Sequence, residues 1–245
     1  MAGTLYLVST PIGNVEDVTL RALRVLREAA IIAAEDPQQT RLLLDRYGIE
    51  ASVTSYHNLN KETKAPVLIA SLREGRSVAL VSDAGTPLVA DPGSFLVGLA
   101  LDAGIRVVPI PGPSALLAAL SASGLPCDAF LFHAAMPKSR SARRRLLRSL
   151  RGEPRTLVLF ESADRLRGTL EAVRALFGPR RLALAKDLTT PHETFLRGTA
   201  QDLLAQATDR PFTGEVTIVV EGKRPARKTK PARRARRAVK RRSVS

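Results

Sequence analysis

The chain is short of several things, and each shortage narrows what it can be. A single cysteine, Cys127, in 245 residues rules out an intrachain disulfide framework and gives no support to a thiolate metal site. Its three histidines, His57, His133 and His192, lack ligand-like spacing, so no metal is expected. Aromatic content is 4% with no Trp, while 44% of residues are hydrophobic, so the core must be built of Leu, Val and Ala. No apolar run approaches the roughly 18–20 residues that span a bilayer. The N-terminal sequence also lacks the basic start of a signal peptide, and a cytoplasmic protein with no membrane partner is expected. Neither G-x-G-x-x-G nor G-x-x-x-x-G-K-[ST] occurs, which argues against a conventional dinucleotide or P-loop site. The hydrolase pattern G-x-S-x-G is missing too.

Acidic residues are absent from one stretch altogether. Residues 223–245 hold 12 of the 38 basic residues and no Asp or Glu. Residues 1–222 are left with 26 basic against 23 acidic side chains, so most of the formal charge of +15 sits in a Pro/Ala/Lys/Arg tail. Such a composition cannot bury enough apolar surface to fold alone. It suits a polyanion, RNA being the first candidate and simple solubilisation the alternative.

What is present alternates. Strand-like segments at 5–9, 31–34, 53–56, 77–82 and 105–110 are separated by helix-like segments at 18–30, around 42–44, 66–73 and 95–103. Asp17 is a candidate cap for the first helix. This rhythm predicts an α/β domain with a largely parallel sheet. Three prolines within residues 109–113 suit neither a helix nor a central strand and mark a boundary. Beyond it come helices at 114–122, 141–150, 165–177 and 200–207, and strands at 129–132, 156–160, 182–185 and 215–220. The expected architecture is two α/β domains in series, residues 1–112 and 113–222, with a disordered basic tail over 223–245.

The most informative stretch is 81–93, where the apolar run Val78-Ala79-Leu80-Val81 ends in small, polar and turn-forming residues. A strand buried on both faces is continuously apolar, and ligands of open α/β sheets bind beyond the carboxyl ends of such strands. Gly85 and Pro87 permit close backbone approach, and Asp83, Thr86 and Asp91 supply polar groups; a surface turn is the alternative. Thr10-Pro11-Ile12-Gly13-Asn14, Glu35-Asp36 and His57-Asn58 fall at the same edge. Glu35 or Asp36 could orient a hydroxyl or take its proton, although Asp36 before Pro37 also reads as a helix cap. In the second half, Lys186-Asp187 with Glu193 could stabilise developing charge or form a surface ion pair. Lys138, Arg140, Arg143, Arg144, Arg145 and Arg148 give the helix at 141–150 a basic face suited to phosphate.

Taken in order, segments 5–14, 34–36, 81–92, 109–115, 155–162 and 214–222 resemble the signature blocks of the ribosomal RNA small subunit methyltransferase I family, within the tetrapyrrole methylase superfamily. The resemblance implies two α/β domains with S-adenosylmethionine between them. It also implies methylation of a cytidine ribose 2′-hydroxyl in the decoding region of 16S rRNA in the small ribosomal subunit, by a homodimer. Carried over position by position, Ile12, Thr86, Val89, Ser114 and Ala115 would line the cofactor, Phe160, Ala185 and Val216 would cover it, and Asp83 would lie beside it. Glu35 or Asp36 would act on the hydroxyl, with Lys186 as the stabilising cation. Pro11, Asn14, His57 and Asn58 would place the substrate, and Lys138, Arg143 and Arg144 would meet RNA. The chain departs from the family at 37–41, where Pro-Gln-Gln-Thr-Arg replaces a Thr/Arg-rich run, and at 132–137. It departs again at Lys186, where Arg is common, and in its basic tail, which stands in place of a small helical extension. A tetrapyrrole-carbon methylase and a non-catalytic RNA-binding protein are the competing readings.

Overall fold

The computed structural model describes residues 2–206 and 214–223. The expectations for the tail therefore lie, apart from Lys223, outside the described residues. The first sheet contains β1 (Thr4–Val8), β2 (Ile31–Ala34), β3 (Val53–Ser55), β4 (Val78–Val81) and β5 (Arg106–Ile110). All its pairings are parallel, in the order β3-β2-β4-β1-β5. Parallel neighbours need crossover connections, and helices supply them on both faces. Leu23, Val25 and Leu26 of α1 (Leu20–Glu28) and Leu44 of α2 (Pro37–Arg46) pack on the face presenting Val8, Ile32 and Val81. Leu68 and Leu72 of α3 (Lys61–Arg73) and Leu96 and Ala100 of α4 (Ser94–Asp102) cover the face presenting Leu5, Ala33 and Leu80.

Two local expectations are corrected. Asp17 does not cap α1; Thr19 does, its hydroxyl accepting the Ala22 N–H at 3.1 Å, while Asp17 ends a short 3-10 turn capped by Asn14. Both residue types suit a cap, and the one directly preceding the helix takes the position. Helix α3 begins at Lys61, earlier than Pro66 suggested. Pro66 is the sixth residue of α3 and cannot donate to the Glu62 carbonyl, a cost opposed by the burial of Leu68, Ile69 and Leu72 on the same helix.

The second sheet is mixed. It holds β6 (Phe130–Ala135), β7 (Thr156–Ser162), β8 (Arg181–Lys186), β9 (Thr194–Thr199) and β10 (Glu215–Val220) in the order β6-β7-β10-β8-β9. Only β6 and β7 are parallel; β10 runs antiparallel to both of its neighbours, and β9 antiparallel to β8. Helices α6 (Arg140–Ser149), α7 (Ala163–Phe177) and α8 (Ala200–Gln206) bury Leu147, Leu166, Leu170 and Leu203 on one face. Helix α5 (Ala115–Ala122) covers the other face, where Ala119 and Leu120 meet Val158, Ala185 and Val219. Ile12, from the loop after β1, packs into this same cluster and joins the two halves. No described helix is long and apolar enough to cross a membrane.

Candidate active site

The carboxyl edge of the first sheet faces the second sheet across a cavity of about 400 Å³. Its walls begin with the loop after β1. Thr10 and Gly85 form an antiparallel bridge, Thr10 N–H to Gly85 O at 2.9 Å and Gly85 N–H to Thr10 O at 3.0 Å. Gly85 has φ +84°, a backbone region that favours glycine, and a Cβ there would sit 3.2 Å from the Ile12 side chain. The Thr86 hydroxyl accepts from Ser9 Oγ at 3.2 Å and donates to the Pro113 carbonyl at 3.1 Å, tying three strand ends together. Ser114 caps α5 at the cavity wall.

Eight residues expected around a cofactor line this one cavity: Ile12, Thr86, Val89, Ser114, Ala115, Phe160, Ala185 and Val216. They come from six separate chain segments. Asp83 is not among them; its carboxylate accepts the Asp36 N–H at 2.8 Å and so braces the end of β2. Residues not anticipated as lining include Ala135, Leu188, Thr190, Glu215 and Thr217. Ala135 lies at an irregularity in the β6–β7 register, a feature no local sequence pattern announces. Three non-glycine residues beside the cavity have positive φ, Leu88 (71°), Asp187 (50°) and Thr189 (63°). Such conformations cost about 1–3 kcal/mol each and cluster where loops are held for function.

The rim is acidic. Asp91 and Glu215 line the cavity, with Glu35 and Asp83 close enough to Asp91 to interact with it electrostatically. Burial first, then the negative charges of Asp91 and Asp83, push the Glu35 carboxyl up to about 7. Burial also raises Asp91, reinforced by Asp83 and Glu215 and opposed by a hydrogen bond from Ser82. Glu35 holds its proton more tightly in the folded chain than in the unfolded one. Stability from this group is therefore lost as pH rises from about 4.5 to about 7. Glu35→Gln is expected to remove that loss: urea midpoints of variant and parent should converge near pH 4 and separate in favour of Gln above pH 7. Parallel profiles across this window would contradict it.

Several expected roles change. The Asp36 carboxylate accepts the Gln38 N–H at 2.8 Å and caps α2, so the cap reading holds for it. The Asn14 side chain accepts the Glu16 N–H, and its backbone N–H donates to Thr189 Oγ1 at 3.0 Å; its contacts are with the protein itself. Arg143 is buried, not on the basic face: it donates to the Pro137 and Lys138 carbonyls and lies 4.0 Å from Glu161. An inward position on the apolar stripe of α6, beside a buried carboxylate, explains this. Lys138 is exposed and Arg144 half-buried. Lys186 pairs with Asp187 at 2.8 Å beside Ala185. Pro11 adjoins Ile12 without lining the cavity, and His57 and Asn58 lie outside it as well, His57 being tied to Asn60.

The model of the tetrapyrrole (corrin/porphyrin) methylases matches residues 4–204. A ribosomal RNA small subunit methyltransferase I from Mesorhizobium japonicum is 52% identical over 231 residues, 93% of this chain and 78% of that protein. Among solved structures, uroporphyrin-III-C-methyltransferase from Thermus thermophilus superposes with a TM-score of 0.63 at 28% identity, covering 89% of this chain and 94% of that one. A second structure of an enzyme of that name from the same organism, complexed with S-adenyl homocysteine, has a TM-score of 0.61 at 22% identity and covers 89% and 97%. With the family model matching residues 4–204 and about half of its residues shared with the Mesorhizobium japonicum relative, the chain belongs to the tetrapyrrole methylases and, among them, to the ribosomal RNA small subunit methyltransferase I family.

Proposed function

We propose that the protein transfers a methyl group from S-adenosylmethionine to the ribose 2′-hydroxyl of a cytidine in 16S rRNA, acting in the cytoplasm on the small ribosomal subunit. The observation that carries the reading is the cavity, on which eight residues assigned to the cofactor by the family resemblance converge. Its volume lies in the range of small-molecule sites. The apolar walls of Ile12, Val89, Phe160 and Val216 suit a flat base, and the acidic rim suits a cationic ligand. When bound, the cofactor supplies an electrophilic methyl group. The chain's own part is alignment and proton handling. Glu35, ionising near neutral pH, accepts or orients the hydroxyl proton from the first-sheet side. Lys186 offsets developing negative charge from the second-sheet side, with Asp187 holding its ammonium. Asp36 positions the end of β2 through its cap and its link to Asp83. Residues 1–112 and 113–222 act as the two domains, the exposed basic side chains of α6 and the segment 223–245 meet RNA, and a homodimer is carried over from the same family resemblance.

Single-turnover methylation with labelled cofactor on small subunits and on naked rRNA tests this. Glu35→Gln and Lys186→Ala are each expected to slow transfer by about 10²–10⁴-fold, with label recovered in cytidine ribose. Wild-type rates in both variants would remove the assigned catalytic groups. Label in a base, or only in a tetrapyrrole, would remove the proposed reaction.

A further inference from the structure

The end of the second sheet remote from the cavity gathers cations that neither the core nor the cavity uses. The turn after α6, the end of α7, the start of β8 and the segment after β10 meet there. They bring Arg151, Arg155, Arg180, Arg181 and Lys223 around two carboxylates, Glu153 and Glu221. Each carboxylate is engaged, Glu153 with Arg155 at 2.7 Å and Glu221 with Arg181 at 2.9 Å. The Arg180 guanidinium is fixed in place. Its Nη2 donates to the Arg151 carbonyl, and its carbon lies 4.7 Å from the Phe177 ring centroid. Nη1 is buried with no hydrogen-bond partner. Burial disfavours the charged form, the attraction of Glu221 opposes that, and the like charge of Arg151 adds to it. Arg151, Arg180 and Lys223 line an open hollow of about 570 Å³. The carbonyl end of α7 offsets about half a charge, far less than the excess.

We infer that Arg151, Arg180 and Lys223 form a phosphate seat for an RNA strand, separate from the cavity. The inference rests on RNA being the substrate, as proposed above. A stacked, pre-oriented guanidinium is suited to phosphate. From Lys223 the chain continues into residues 224–245, which carry 11 more cations and no acidic residue, matching a run of phosphates better than one small anion. Arg180, directly before β8, precedes Ala185 by five positions, about 16 Å at the ordinary strand rise. The seat therefore holds a stretch of RNA away from the reacting nucleotide, adding affinity without touching the reacting atoms.

The test uses the full chain carrying R151Q, R180Q and K223Q together. Its binding to a mixed-sequence single-stranded RNA oligomer is followed by anisotropy as salt rises from about 50 to 200 mM. The log–log salt slope should become shallower by about 2, at about 0.7 per lost phosphate contact. Cofactor affinity by calorimetry and the unfolding midpoint should stay at parental values. If the triple variant unfolds, Arg151→Gln and Lys223→Gln, both on exposed side chains, should each reduce the slope by about 0.7. An unchanged slope in folded protein overturns the seat. So does a loss of binding to phosphatidylserine vesicles with RNA binding intact. RNA bound with the parental slope lost on substitution, yet never methylated, would keep the seat and remove the methyl-transfer reading.

Discussion

Glu161→Ala is expected to lower the free energy of unfolding by about 3–5 kcal/mol, the usual consequence of removing one member of a buried ion pair. The Glu161 side chain is fully buried and satisfies groups from two helices and a strand end. One oxygen accepts from the Ser162 N–H at 2.9 Å and pairs with Arg165 at 2.7 Å; the other accepts from Thr169 Oγ1 at 2.6 Å and faces Arg143 at 4.0 Å. Alanine would leave two arginines and a hydroxyl without their acceptor, Arg143 itself being buried. The change should appear as a lower urea midpoint at constant m. A loss below about 1 kcal/mol would mean that water replaces the carboxylate, as at an exposed pair. The effect should reach the cavity as well. Arg143 holds the Pro137 and Lys138 carbonyls just after Ala135, and Phe160, the neighbour of Glu161, lines the same wall.

Gly13→Ala is expected to reduce kcat/KM by about 10²-fold, because small misplacements of a binding wall are costly to a reaction that depends on alignment. A Cβ at residue 13 would lie 2.3 Å from the Leu188 carbonyl oxygen and 2.7 Å from the Thr190 side chain. The first contact is with backbone, so relief requires the β8–β9 loop to move away from the loop after β1. Ile12 and Leu188 both line the cavity, and Asn14 is hydrogen-bonded to Thr189 across the same seam. The overpacking itself should cost about 1–3 kcal/mol of stability. Cofactor titration and single-turnover rates on the purified variant measure the first effect, and urea unfolding the second. Wild-type affinity and rate would show that the seam can open without disturbing the cavity.

Much of this arrangement is legible in the chain before any coordinates. Continuous apolar runs such as Val78–Val81 identify strands buried on both faces, and in the first sheet the loops following them carry lining residues such as Ile12, Thr86 and Val89. The proline-rich segment 109–113 spans the end of β5 and the connection to α5, which covers the second sheet. Strand β9 is a different matter. Thr194–Thr199 is a half-buried edge strand with an internal glycine, paired only with β8, and its identity comes from that partner more than from its own pattern. Antiparallel insertion of β10 is likewise a property of pairing, invisible in Glu215–Val220 itself. At the site, turn residues mark the loops of the first sheet that border the cavity, whereas Phe160, Ala185 and Val216 lie inside strands and are singled out only by the family resemblance. Roles that depend on side-chain direction are not marked in this way. Arg143 looks basic and available in sequence, yet the rotation of about 100° between neighbouring helix positions decides whether it faces solvent or Glu161.

The central position of β10 bears on how the molecule is made. Synthesis proceeds from the N-terminus, and domains formed early can fold early. The first sheet has all its strands once Ile110 has emerged. The second cannot close until Val220 arrives, because β10 separates β7 from β8. Until then both strands present bare edges, the kind of surface that seeds aggregation. A chain halted before Glu215 would carry a finished first half and a sticky, gaping second one, so the last strand made acts as the keystone of the fold.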